Sequence, residues 1–226
     1  MKALRVEVPV LLLIAALLGA PASSAAAADV FSVRFHGGVA LAAWTTCPSW
    51  EAGDICEETR VIASDASTAE RFPGGRERDR GPRVVLQRFL FEVVDLNGVL
   101  QSIPVLESFG GTDDAVVRVD QRSRYASATA TVPMSTTQYR DTSVVFEDVV
   151  TVHVRWTGHG SLVAIDERDQ HVDAVGLSIS FTKGWQRPAA VAGTLDGVPV
   201  AGVPQAEGNT LFTVRQGELT VYRRQR

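Results

Sequence analysis

Cys47 and Cys56 are the only cysteines of the 226-residue chain, and nine positions separate them. A redox pair favours Cys-x-x-Cys spacing, and a structural zinc site takes four cysteine or histidine ligands. The intervening Pro48, Gly53 and Asp54 supply turn chemistry instead. Trp44-Thr-Thr-Cys47 leaves one apolar stretch, and Ile55-Cys56 opens the next. The expectation is a Cys47–Cys56 disulfide that clamps a hairpin loop in an oxidising compartment. Trp50 stands inside that loop, and Trp185 follows Lys183-Gly184 at the end of another apolar run. Both are candidate ligand contacts, because an indole offers a flat apolar face to a sugar ring or a protein partner. The competing reading folds each indole back over the core. Trp44 and Trp156 lie in apolar stretches and read as core.

Other chemistries find less support. The histidines are His36, His153, His159 and His171, with no His-x-His pair to place two ligands on one strand face. His171 has acidic neighbours, Asp166, Glu167, Asp169 and Asp173, but they lack the ligand order of a calcium loop. They read as a solvated loop. No Gly-x-Ser-x-Gly elbow is present, and Ser161 following His159-Gly160 implies no hydrogen bond in space. Gly37-Gly38 and Gly110-Gly111 precede no helical stretch, so neither reads as a phosphate cradle. No catalytic residue, metal ligand or cofactor is assigned. A formal net charge of −4 leaves no basic footprint for nucleic acid.

The elements that must position these residues read as strands. Val150, Val152, Val154 and Trp156 alternate with Thr151, His153 and Arg155. Val175, Leu177, Ile179 and Phe181 alternate in the same way with hydroxyl residues. This period of two marks strands with one apolar face. Asn97-Gly98 suits the positive φ of a tight turn and predicts a hairpin over 88–103, and Asp196-Gly197 predicts another turn. Gly37-Gly38, Gly158, Gly160 and Gly217 read as further turns. The small residues of Tyr125–Val132 suit a closely packed or edge strand. Ala63–Arg71 admits a short helix. Arg71–Arg83, with five arginines, three glycines and two prolines, reads as a flexible solvated loop. The fold class expected is all-β, an antiparallel β-sandwich or, alternatively, a barrel-like closure.

The first 28 residues have a different pattern. Lys2 and Arg5 precede an aliphatic run from Val10 to Leu18, and Ala26-Ala27-Ala28 follows. That order is a cleavable secretory signal peptide over 1–28, with cleavage between Ala28 and Asp29. The run is short for a membrane span, which takes about 20 residues. The expected product is one secreted, extracellular domain over 29–226 with no membrane anchor after signal removal. Lys2 and Lys183 are the only lysines among many arginines, a skew that follows a GC-rich genome.

Trp156-Thr-Gly-His-Gly160, followed by Phe181-Thr-Lys-Gly-Trp-Gln-Arg-Pro-Ala-Ala-Val-Ala-Gly-Thr194, resembles the C-terminal half of a set of uncharacterised exported proteins of actinobacteria. The resemblance covers 120–222. It implies export and an all-β fold, and it brings no activity or site residues. The function expected is a non-enzymatic binding module of the cell exterior, with an extracellular glycan or protein as partner. The alternative is a small exported hydrolase or lyase acting on a polysaccharide or cell-wall polymer. The sequence sets no oligomeric state.

Overall fold

The computed structural model describes residues 30–47, 49–72, 75–138, 144–172, 176–200 and 209–223. The expected signal segment over 1–28 and its expected cleavage point between Ala28 and Asp29 lie outside the described residues. The chain is all-β and antiparallel, as expected. Its strands are β1 (Val30–Thr46), β2 (Ile55–Ser64), β3 (Ser67–Arg71), β4 (Glu77–Arg80), β5 (Arg83–Leu96), β6 (Val99–Thr112) and β7 (Ala115–Val119). They continue with β8 (Tyr125–Gln138), β9 (Val144–Gly158), β10 (Val163–Val172), β11 (Gly176–Leu195), β12 (Val198–Pro199) and β13 (Thr210–Arg223).

The pairings run as a meander. β1 pairs β2, β2 pairs β5, β5 pairs β6, and β6 pairs β8. β8 pairs β9, β9 pairs β11, β11 pairs β13, and β13 returns to β1. This circuit closes, as in the barrel-like form, and closure leaves its members no free edge where both neighbours are present. At one end, β1, β11 and β13 run on beyond the circuit. There they join an open sheet layer in the order β10-β11-β13-β1-β3-β4.

The circuit encloses the main core. β8 turns Ala126, Ala128, Ala130 and Val132 inward, and β9 adds Val150, Val152, Val154 and Trp156. The alternate positions, Thr129 and Thr131 on β8 and His153 and Arg155 on β9, face solvent. These strands are apolar inside and polar outside, the reverse of a lipid-facing barrel. The run of alanines makes room for large rings. Trp156 is fully buried, and its Nε1–H donates to the Leu41 carbonyl on β1 at 3.0 Å. Val39, Leu41, Ile62, Val85 and Phe212 form a second cluster on the other face, joined by Ile165 of β10.

Several local expectations are corrected. The arginine-rich segment is a hairpin, not a flexible loop. Glu77–Arg80 contains no glycine or proline and pairs with Thr68–Arg71. Two of its arginines meet acids: Arg80 Nε lies 2.7 Å from the buried Glu70, and Arg83 Nε lies 3.4 Å from Asp113. Ala63–Arg71 is not helix but the end of β2, a two-residue link at Asp65-Ala66 and β3, because β2 and β3 both pair with β1. Asp166, Glu167 and Asp169 lie on β10 and not in a loop. β8 is a central strand, flanked by β6, β7 and β9. On β11 it is Ser180 and Thr182 that are buried, with Ile179 and Phe181 half-buried. Gly37, Gly38 and Gly217 lie within strands. Gly217 is opposite Phe35, and a Cβ there would meet the Phe35 ring at 2.1 Å. The glycine is thus a seat for an aromatic side chain.

Candidate binding site

The loop between β1 and β2 is held in three ways. Cys47 and Cys56 are joined by a disulfide, with Cα atoms 4.5 Å apart. The Asp54 carboxylate accepts the Glu51 N–H at 2.8 Å, the Ser49 hydroxyl at 2.9 Å and the Ser49 N–H at 3.1 Å. The loop also extends the ladder of β5, where Gly53 N–H donates to the Val93 carbonyl at 2.7 Å and Val93 N–H to the Asp54 carbonyl at 2.9 Å. Glu51's amide, then the Ser49 hydroxyl, hold the Asp54 carboxyl below its usual range.

These constraints fix Trp50. Its φ is 60°, a left-handed conformation that bulky residues rarely adopt. The indole is 44% exposed and stands edge-on to Phe91, with ring centroids 5.7 Å apart. A strained backbone at an exposed aromatic is a feature that surrounding structure must impose.

The neighbouring hairpin carries a second apolar surface, on the face of β5 opposite to Phe91. Asn97 and Gly98 make the turn with φ of 61° and 83°, and Asp95 Oδ1 accepts the Gly98 N–H at 2.6 Å. Register places Ile55, Glu92 and Ile103 in one row across β2, β5 and β6. Alternation puts Leu96 and Val99 on the same face. On this face Ile55, Leu96, Val99 and Ile103 are each 41–57% exposed, and Leu100 is exposed on the opposite face. Single exposed apolar residues need no explanation, but a contiguous group marks an interaction surface.

Trp185 sits elsewhere. It is half-buried on β11, paired with Ala164 and Thr213, and so level with Gly38 on β1. Nine residues of β1 separate that level from Cys47, roughly 30 Å of strand. The two tryptophans do not share a surface. His153 Nδ1 lies 3.4 Å from the Thr129 hydroxyl, and Lys183 lies 3.5 Å from Asp166. Among the described residues no three His, Cys, Asp or Glu gather as a metal site. Among them, too, no helix is long and apolar enough to cross a membrane. Phe91, Ile55, Leu96, Val99 and Ile103 escaped the sequence reading, although the hairpin carrying most of them did not. The signal for them was an unbroken lack of basic residues around the turn. No family model matches the chain, and neither does a curated protein or a solved structure.

Two results are expected of this loop. Changing both cysteines to serine will lower stability by about 2–3 kcal/mol, the chain-entropy value for a loop of this length. Urea denaturation read by circular dichroism checks it, and the β signal will survive because the core lies elsewhere. Asp54 gives a pH dependence. Its folded pKa is depressed, so its contribution is present above the unfolded value near 3.8 and is lost as pH falls through the folded value. The Trp50 environment will be constant around neutral pH and loosen only below 3.8. Tryptophan fluorescence of wild type against Asp54→Ala reads this, and the variant will be loose at every pH.

Proposed function

We propose that this protein is a secreted, non-enzymatic binding module that presents its Trp50 end to an extracellular ligand. The observation that carries this reading is the holding of Trp50. A disulfide, an aspartate cap and a ladder extension together keep a bulky aromatic exposed at φ 60° beside an exposed apolar hairpin. Ordering an indole before binding lowers the entropy cost of association. Export through a signal peptide cleaved between Ala28 and Asp29 supports the same reading, because it places the disulfide in an oxidising compartment. The resemblance to exported actinobacterial proteins points the same way.

The test is an array of cell-wall and extracellular oligosaccharides and peptides, probed with wild type and with Trp50→Ala. A ligand retained by wild type and lost by at least about tenfold in the variant supports the module, that being the scale of an aromatic contact near 1.4 kcal/mol. Ligands insensitive to Trp50 would refute it. Turnover of a polysaccharide on the array would favour the hydrolase or lyase instead. Intact mass of protein from culture medium checks export: the chain will begin at Asp29, and retention of Met1 would contradict it.

A further inference from the structure

We infer that the outer edge of β6, from Val99 to Ile103, is a strand-addition site for an extended, cationic and apolar segment of another protein. This rests on the binding reading above and names its partner class. β6 pairs with β5 from Val99 to Thr112, but with β8 only from Leu106 to Gly110. Among the described residues, Val99–Val105 have no second strand neighbour. The two-residue turn makes Leu96 and Val99 a hydrogen-bonded pair, so the N–H and C=O groups of Leu100 and Ser102 point away from β5. The same alternation turns Val93 outward on the far side of β5, where it bonds Gly53 and Asp54. Pro104 falls in the same phase as Leu100 and Ser102, so its missing donor faces the open side, where proline is tolerated.

Among the described residues this edge lacks the charge that protects the others. Soluble proteins blunt free edges with charge. β4, of sequence Glu-Arg-Asp-Arg, and β10, with Asp166, Glu167, Arg168 and Asp169, follow that rule at the two borders of the open layer. Residues 99–106 carry no charge at all, and the flanking Ile55, Leu96, Val99 and Ile103 are exposed and apolar. The adjoining segments carry acids and no bases, with Arg88 just beyond them. Residues 44–57 and 89–106 contain Glu51, Asp54, Glu57, Glu92 and Asp95 and no lysine or arginine. Of these, Glu57 lies 3.7 Å from Arg88. Glu92 sits in the row between Ile55 and Ile103. A second copy docked edge to edge would bring like charges together, which is destabilising across a strand pair. A segment alternating basic and apolar residues meets both the acids and the apolar face, with backbone bonds supplying affinity.

The test uses the full chain and a synthetic peptide of alternating lysine and valine, with glutamate-valine and fully N-methylated lysine-valine peptides as comparisons. Calorimetry will find binding of the lysine-valine peptide alone. Ser102→Pro removes an outward donor while leaving the β5 ladder intact, and it will weaken binding by about tenfold. The Glu51→Gln, Glu92→Gln double variant will weaken it severalfold and flatten its salt dependence. Should Ser102→Pro not fold, the N-methylated peptide decides the same point. Equal binding by that peptide, or by a folded Ser102→Pro, would overturn the assignment, as would a dimer that Ser102→Pro dissolves. If the lysine-valine peptide fails while the array yields a Trp50-dependent ligand, strand addition fails and the binding module stands. If both fail, both readings fall.

Discussion

Replacing Trp156 by alanine will lower the unfolding free energy by about 3–5 kcal/mol, the scale of a large buried aromatic lost from a core that collapses only partly. The indole is 1% exposed and lies within the closed circuit among Ala126, Ala128 and Ala130, none of which can extend to refill the space. Its Nε1–H also joins β9 to the Leu41 carbonyl of β1 at 3.0 Å. Trp156→Phe separates the two contributions. It keeps most of the packing, loses the hydrogen bond, and will cost about 1–2 kcal/mol. Urea denaturation of both variants, with slopes compared to wild type, measures the pair. Equal losses in the two variants would mean that the hydrogen bond, and not the ring volume, dominates.

Gly193→Ala will cost about 2–5 kcal/mol, combining a backbone conformation that alanine avoids with an overpacked contact. Gly193 lies on β11 at φ 144°, and a Cβ there would stand 2.0 Å from the His153 carbonyl oxygen on β9. That neighbour is main chain in a paired ladder, so it cannot move aside without breaking the β9–β11 seam. Gly81→Ala is the matched control. Nothing lies within 4 Å of its Cβ position, and the change will be neutral or slightly stabilising. Thermal melts of the two variants will therefore diverge, although the substitution is the same.

What was legible in the sequence follows from how local each feature is. Asn97-Gly98 carries its own turn geometry, and the hairpin over 88–103 forms there with the expected positive φ values. Cys47 and Cys56 needed only their spacing and a turn between them. The alternation from Val150 to Trp156 announced a strand with one buried face, and β9 has it. The circuit's closure was not legible, because β13 and β1 meet across most of the chain and no local pattern selects that pairing. Asn209 shows the kind of detail involved: its side-chain oxygen accepts the Ala43 N–H at 2.9 Å, continuing the seam past the last paired residues. The arginine-rich segment misled because all its prolines and glycines fall outside Glu77–Arg80 in the sequence, leaving that stretch free to pair. Gly217 misled for another reason. It gives room to Phe35, a cross-strand neighbour that composition alone does not reveal. For the site, the sequence offered two tryptophans as equals. Only the register separates them, placing Trp185 half-buried on β11 and Trp50 at the apolar end.

Hydrogen exchange of the full chain, free and saturated with its array-selected ligand, tests the account most directly, because it reads every backbone amide without prior choice of a site. Protection confined to 49–56 and 94–105, and absent in Trp50→Ala at the same ligand concentration, is the result predicted. Protection that instead centres on β8 and β9, or on Trp185 and its neighbours on β10 and β13, with the Trp50 end unchanged, would contradict it.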